Sequence, residues 1–200
     1  MQAGGAFHVP VASLKETHFQ RTVHQQYDYS CGSAALATLL TYHYSYPVSE
    51  QETFSAMFAR GDQAKIKKEG FSLLDIKNYL AAHNFQADGY VADVDKLVVA
   101  RIPAIALIKE RGYQHFIVVK GVRNGRVLIG DPATGTRAMP ESKFRKLWVN
   151  QVLFVVRNKQ EVARFNDDLD WRAAPHAPLG SGVYGNGANL GLDKHGPADF

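Results

Sequence analysis

The sequence predicts an α+β fold in which N-terminal helices pack on an antiparallel β-sheet. Two helix-start signatures in the first half and a set of short apolar runs around an Asn-Gly turn in the second carry that expectation. Ser49 with Glu52, and Ser72 with Asp75, each put a serine three places before a carboxylate, so that each side chain can satisfy the other's backbone N–H. Asn124-Gly125 suits the two left-handed positions of a tight hairpin.

Residues 1–19 read as an N-terminal arm, with residues 15–23 extended as a strand toward a glutamine-containing loop. From Cys31 to Tyr44 apolar residues dominate, and Leu36, Leu39, Leu40 and His43 recur at helical spacing, which predicts a buried helix. Ser49 starts a second helix carrying Phe54, Met57 and Phe58, and Gly61 ends it. Residues 61–70 are polar, bounded by glycines, and read as a loop. Ser72 starts a third helix with Leu73, Leu74, Ile76, Tyr79 and Leu80 on its apolar side. A short strand is expected over residues 85–91, and Asp93 suits the start of a short helix. Strands follow over residues 102–108, 115–122, 126–129 and 152–156, with a loop at 132–135 and a helix that Pro140 can begin. The domain is therefore expected to span residues 20–157. Residues 158–200 read as a largely flexible extension, whose 180–185 glycine pattern has no strand before it and no helix after it.

Composition narrows the function classes. An apolar share of 46% and a net charge of +4 in 200 residues are ordinary for one globular domain. The basic residues are scattered apart from Lys65, Lys67 and Lys68, a cluster better explained by a solvated loop than by nucleic-acid binding. No apolar run reaches the roughly 18 residues of a membrane span. A single cysteine, Cys31, rules out an internal disulfide. A lone cysteine is more often a small buried hydrophobe than a reactive group, so it needs partners to count.

Those partners are present. Cys31 stands where a helix begins, and a helix N-terminus favours the thiolate that attacks carbonyls. Gly32 beside it lets a backbone approach closely. Of eight histidines, His115 alone lies within a strongly apolar strand. Asp131, at the end of the hairpin partner strand, can lie beside it and hold an imidazole in one orientation. An oxyanion needs donors, and the Cys31 N–H and a side-chain amide from Gln25 or Gln26 are available. Spacing alone does not choose between the two glutamines. The set describes a cysteine hydrolase with Cys31 as nucleophile and His115 as base, needing no metal or other cofactor.

Gln25, then Ser30-Cys31-Gly32-Ser33-Ala34-Ala35-Leu36, resembles the cysteine motif of the C39 peptidases, papain-like enzymes best known as leader-peptide-cleaving domains of bacteriocin exporters. Tyr113 to Val118 is similar to their histidine motif, and Ile129 to Ala133 to their aspartate motif, in the same order across residues 20–156. The resemblance implies a papain-like fold, Gln25 as the oxyanion residue, and Gly32, Ser33 and Gln114 as substrate contacts. It also implies cleavage of a Gly-Gly-type site in an exported protein or leader peptide. Ser30 stands where many exporter domains carry an acidic residue, and with no transporter or ATPase segment among these 200 residues a stand-alone member is expected. Residues 27–34 are more similar to stand-alone C39-like proteins of Gram-negative bacteria, some of which accompany functional-amyloid secretion. That implies a peptide or protein substrate, with a secretion-system component as the expected partner. It also implies a periplasmic location with the signal removed, cytoplasmic being the alternative. Two other readings use the same scaffold: a non-catalytic module that holds an export substrate, and a thiol transferase passing the acyl group to an amine.

Overall fold

The computed structural model describes residues 14–174. Helix α1 (Leu14–Phe19) leads through an irregular stretch to α2 (Cys31–Thr38), followed by α3 (Glu50–Arg60), α4 (Gln63–Glu69) and α5 (Leu73–Ala82). The strands are β1 (Ala87–Val91), β2 (Ala104–Glu110), β3 (Tyr113–Arg123), β4 (Arg126–Asp131), β5 (Gly135–Pro140) and β6 (Val152–Val156). Helix α6 (Asp95–Ala100) joins β1 to β2, and α7 (Glu141–Leu147) joins β5 to β6. Helix α8 (Asp168–Arg172) comes last. The six strands form one antiparallel sheet in the order β1-β6-β2-β3-β4-β5. No helix among the described residues is long and apolar enough to cross a membrane.

Alternation along the strands splits the core in two. Ile105, Phe116, Val118 and Phe154 meet Leu36, Leu39, Leu40, Ile76 and Leu80 of the N-terminal helices. Ala104, Ile108, Ile117 and Val119 meet Leu97 of α6 and Phe144 of α7 on the other face. Helices therefore cover both faces of the sheet. Both capping boxes form, with Ser49 and Ser72 each accepting from the backbone N–H three residues on. Asn124 and Gly125 take φ of 52° and 67°, the hairpin conformation their types favour.

Several elements differ from the sequence-based expectation. Residues 14–19 are helical rather than extended, and α1 lies so close to β5 that a Cβ on Gly135 would be 2.7 Å from His18 Cβ. The helix begun at Cys31 changes to a π-helical turn over Leu39–His43. Residues 63–69 form α4, because Asp62 caps its N-terminus, Ile66 is buried and Gly70 ends it at φ 80°. Residues 135–140 are an edge strand, paired to β4 through Ile129–Arg137 and Asp131–Gly135.

The packing does not stop at residue 157. Asp170 of α8 is fully buried against Lys120, which sits at a β-bulge in β3 and is itself fully buried. Their charged atoms are 2.5 Å apart, and Arg21 reaches Asp170 at 3.1 Å. Trp171 and Asn166 close over Gly121, where an added Cβ would be 2.4 Å from Asn166 Oδ1. Residues 158–174 thus belong to the folded body. The expected tail beyond residue 174, with its glycine pattern at 180–185, lies outside the described residues.

Candidate active site

The turn over residues 27–30 sets Cys31 at the head of α2. Ser30, fully buried, closes it: its hydroxyl donates to the Tyr27 carbonyl at 3.0 Å and accepts from the Tyr27 N–H at 3.1 Å. All eight residues of α2 are buried, and its small residues let it lie close to the sheet. The Gly32 position is tight for that reason, since an added Cβ would be 2.9 Å from Phe71 Cβ and 3.5 Å from Phe116 Cδ2. Gly32 thus serves helix packing, in place of the substrate approach expected from its type. Ser33 is likewise no open contact. It is fully buried, and its hydroxyl reaches the Ser30 carbonyl and Glu50 Oε1 at 2.8 and 3.0 Å, tying α2 to α3.

His115 lies near the start of β3, opposite Ile108 of β2. Its Nε2 is 3.1 Å from Asp131 Oδ2. The β3–β4 register, which pairs Val118 with Gly130, brings these residues together at the sheet end where β3 begins and β4 stops. The imidazole is 6% exposed and its Nδ1 is buried with no hydrogen-bond partner. Tyr113 stacks on the ring at 5.5 Å between centroids, and its hydroxyl donates to the Asp28 carbonyl at 2.5 Å. Gln114, exposed between the two, projects by alternation to the face that carries Phe116 and α2.

Asp131 has a full set of partners. Oδ1 accepts the Ala133 N–H at 2.9 Å, and Oδ2 accepts Arg137 at 3.0 Å as well as His115. Burial works to raise its pKa. The bond and charge of His115, the Ala133 N–H and Arg137 outweigh burial and hold the carboxyl well below the usual range. Arg137 is in turn gripped by Glu110 at 2.7 Å. Neither Arg137 nor Glu110 was singled out from sequence, because Arg137 lies on the unpredicted β5.

The Cys31 thiol contrasts with the expectation of a depressed pKa. Burial pushes it up and the Asp131 charge adds to that, while backbone hydrogen bonds from Phe116 and Gly32 pull it partly back. Desolvation outweighs the helix end, so the resting group is a thiol. Its contact with the Phe116 backbone puts it beside the residue that follows His115.

Gln25 is half-buried and Gln26 exposed. The segment leading to Gln25 is stitched down at successive residues. The Arg21 carbonyl accepts from Lys120 at 2.6 Å, Thr22 bonds Thr136 at 2.7 Å, and the Val23 N–H donates to Thr38 of α2 at 2.9 Å. The Gln25 N–H then donates to the Pro132 carbonyl at 3.1 Å, fixing it to the turn after Asp131. Its Nε2 donates one hydrogen to the Tyr27 carbonyl at 3.0 Å and keeps a second.

A depression of about 440 Å³ opens beside this group, lined by Tyr113, His115, Asp131, Glu110, Arg137 and Lys143 among others. A slightly larger one, about 480 Å³, lies between α5, β1 and Arg157, but its lining offers ion-paired Lys77, Asp88 and Arg157 and no nucleophile. The acidic cluster of Asp93, Asp95 and Glu141 is largely exposed, and Asp93 and Glu141 already hold the Arg145 guanidinium.

Comparison with known proteins adds an independent finding. The profile described as "Peptidase C39 family" matches residues 20–160. A probable functional amyloid protease, FapD of Pseudomonas aeruginosa, is 38% identical over 156 residues, covering 78% of this chain and 69% of that protein. The peptidase domain of Streptococcus ComA, a bi-functional ABC transporter involved in a quorum-sensing pathway, superposes with a TM-score of 0.57 at 23% identity. The match covers 68% of this chain and 96% of that domain. A double-glycine-motif protease from an AMS/PCAT transporter, solved with its leader peptide, gives 0.54 at 22% identity, covering 68% and 89%. At these identities the two structures speak for the fold alone.

Proposed function

Because the chain belongs to the peptidase C39 family and is a cysteine peptidase, we propose that Cys31 is its nucleophile, His115 its general base, Asp131 the residue that orients His115, and Gln25 an oxyanion donor. The observation that carries this reading is the division of labour on the His115 ring. Nε2 is committed to Asp131, while Nδ1 is buried and unpaired on a residue whose neighbour, Phe116, contacts the thiol. A nitrogen desolvated without a partner is costly unless it has a use.

The chemistry follows from that arrangement. Since Cys31 rests as a thiol, its proton passes to Nδ1 of His115 as sulfur bonds to the scissile carbonyl carbon. The carbonyl π-electrons move onto oxygen, where the Cys31 N–H and the free hydrogen of Gln25 Nε2 can receive the charge. Asp131, held ionised, stabilises the imidazolium. The tetrahedral species collapses, Nδ1–H protonates the departing amine, and an acyl-thioester remains. Water attacks that ester with Nδ1 as base and releases the acid.

The substrate we propose is an exported protein or leader peptide, cut at a Gly-Gly-type site, in the secretion of functional amyloid. This is supported by the similarity to FapD and by membership of the peptidase C39 family. A periplasmic location goes with that proposal. The test compares wild type and Cys31→Ala for new protein termini in cells, and for cleavage of a Gly-Gly leader peptide in vitro. Cys31→Ala is expected to abolish cleavage and leave the thermal melt nearly unchanged; retained cleavage refutes the mechanism. A wild-type thiol that resists alkylation near neutral pH and cuts neither substrate would favour the binding-module reading.

A further inference from the structure

Asp131 serves two cations through one oxygen. His115 Nε2 and Arg137 Nη2 lie 3.1 and 3.0 Å from the same Oδ2, and Oδ1 is taken by the Ala133 N–H. The β4–β5 register makes this a built feature. Asp131 pairs with Gly135 and Ile129 with Arg137, so the guanidinium stands one same-face step from the carboxylate. Its other side is held by Glu110 at 2.7 Å, and Glu110 also faces Lys143 at 3.8 Å. The result is an alternating row, Lys143, Glu110, Arg137, Asp131, His115, all of whose members line the depression.

We infer that Arg137 is a positioning residue that acts through Asp131, fixing the carboxylate and limiting how tightly it holds a proton on the His115 ring. The inference rests on the reading of His115 as the base. A carboxylate bonded only to an imidazole favours the imidazolium strongly. A second cation on the same oxygen opposes that charge and shares the lone pairs, so the base is readier to give its proton to the leaving amine. Glu110 works in the opposite sense by drawing on Arg137. The titratable and charged groups facing this row are Glu110 from β2, Tyr113 from β3, Lys143 from α7, Cys31 from α2 and Arg111 from the β2–β3 turn. His18 of α1 and Arg126 of β4 border Arg137 on its far side.

A charge role differs from a merely structural one in having a sign. The test follows the titration of the His115 ring in the whole chain by long-range proton–nitrogen NMR on isotope-labelled histidine, assigned with His115→Asn. Arg137→Gln is expected to move the midpoint up by about one pH unit, as for a cation removed within hydrogen-bonding reach of the shared carboxylate. Arg137→Lys should restore most of the difference, and Glu110→Gln should move the midpoint down. Midpoints that stay in place, or that move in the same direction in both glutamine variants, overturn the inference. If Arg137→Gln does not fold, Glu110→Gln decides alone, and an unmoved midpoint there refutes it. Iodoacetamide alkylation of Cys31, with and without His115→Ala, separates the two levels. Dependence on His115 upholds the base whatever Arg137 does, and independence removes the base reading and this inference with it.

Discussion

Replacing Asp170 by Ala tests how residues 158–174 are held. Lys120 and Asp170 are both without exposed side-chain surface, with their charged atoms 2.5 Å apart. Burial penalises both charges. Asp170 is the better held, because the Lys120 charge and the hydrogen bonds of Lys120 and Arg21 all favour its ionised form. Lys120 has Asp170 as its near carboxylate, with Arg21 opposing, and burial pushes its pKa down to about 8. Without Asp170 the ammonium keeps the Arg21 carbonyl at 2.6 Å and two hydroxyls at 3.3 and 3.4 Å. Removing one member of a buried pair costs about 3–5 kcal/mol. In a domain of this size that lowers Tm by about 10 °C.

The assay is thermal unfolding by circular dichroism at neutral pH, repeated at rising pH. A base whose folded pKa is depressed leaves the unfolded state with more protons between its folded and unfolded values, so stability climbs with pH in that window. The Asp170→Ala deficit should therefore narrow as pH rises to about 8, where only the variant's lysine, without its carboxylate, has already lost its proton, and hold level from there to the ordinary lysine value of 10.5. Lys120→Met should cost less than Asp170→Ala, since Arg21 still reaches the carboxylate at 3.1 Å. Lys120→Met with Asp170→Leu should recover most of the loss. An Asp170→Ala protein within about 1 kcal/mol of wild type, or a deficit that widens with pH, would refute the reasoning.

Two further predictions concern the site and the core. Gln25→Ala should lower kcat by about 100-fold or more with little change in KM, and Gln26→Ala should leave both near wild type; an equal loss at Gln26 would reassign the oxyanion donor. His43, fully buried with Nδ1 on the Arg164 carbonyl at 2.7 Å, has its pKa pushed from 6.5 down to about 4, by burial first and then by the Lys120 charge. It binds its proton more readily unfolded, so its contribution is present above pH 6.5 and is lost as pH falls toward about 4. The loss is about 3 kcal/mol, measurable as a falling urea midpoint. His43→Asn should flatten that fall, and an unchanged slope would count against it.

What was legible in the sequence was what leaves a local mark. The capping serines, the Asn-Gly turn and the apolar strand cores each act within a few residues, so Ser49, Ser72, Asn124 and β6 could be read directly. Cys31, His115 and Asp131 stood out because each is a polar exception in, or at the edge of, an apolar stretch. Helix α4 escaped because its single buried residue, Ile66, makes no period. Strand β5 escaped because it is an edge strand bounded by Gly135 and Pro140. Helix α8 escaped because it anchors through a buried carboxylate, and hydrophobic patterning does not register a charge. The raised thiol pKa was out of reach for a related reason. A helix N-terminus is visible in sequence, whereas desolvation depends on chain segments far from Cys31.

The Arg21–Asp170 contact also joins distant parts of the chain. Its partners stand 149 residues apart. Arg21, the bulged Lys120 and the whole sheet all precede in the chain the carboxylate that compensates them. Without that carboxylate, Lys120 either stays in water, keeping the bulge and the Gln25 segment from seating, or enters the core uncompensated. The stitched path from Arg21 to Gln25 therefore depends on α8 for its full hold. A chain lacking α8 would carry Cys31, His115 and Asp131 with its oxyanion arm more loosely held, which couples competence to cut to completion of the folded body.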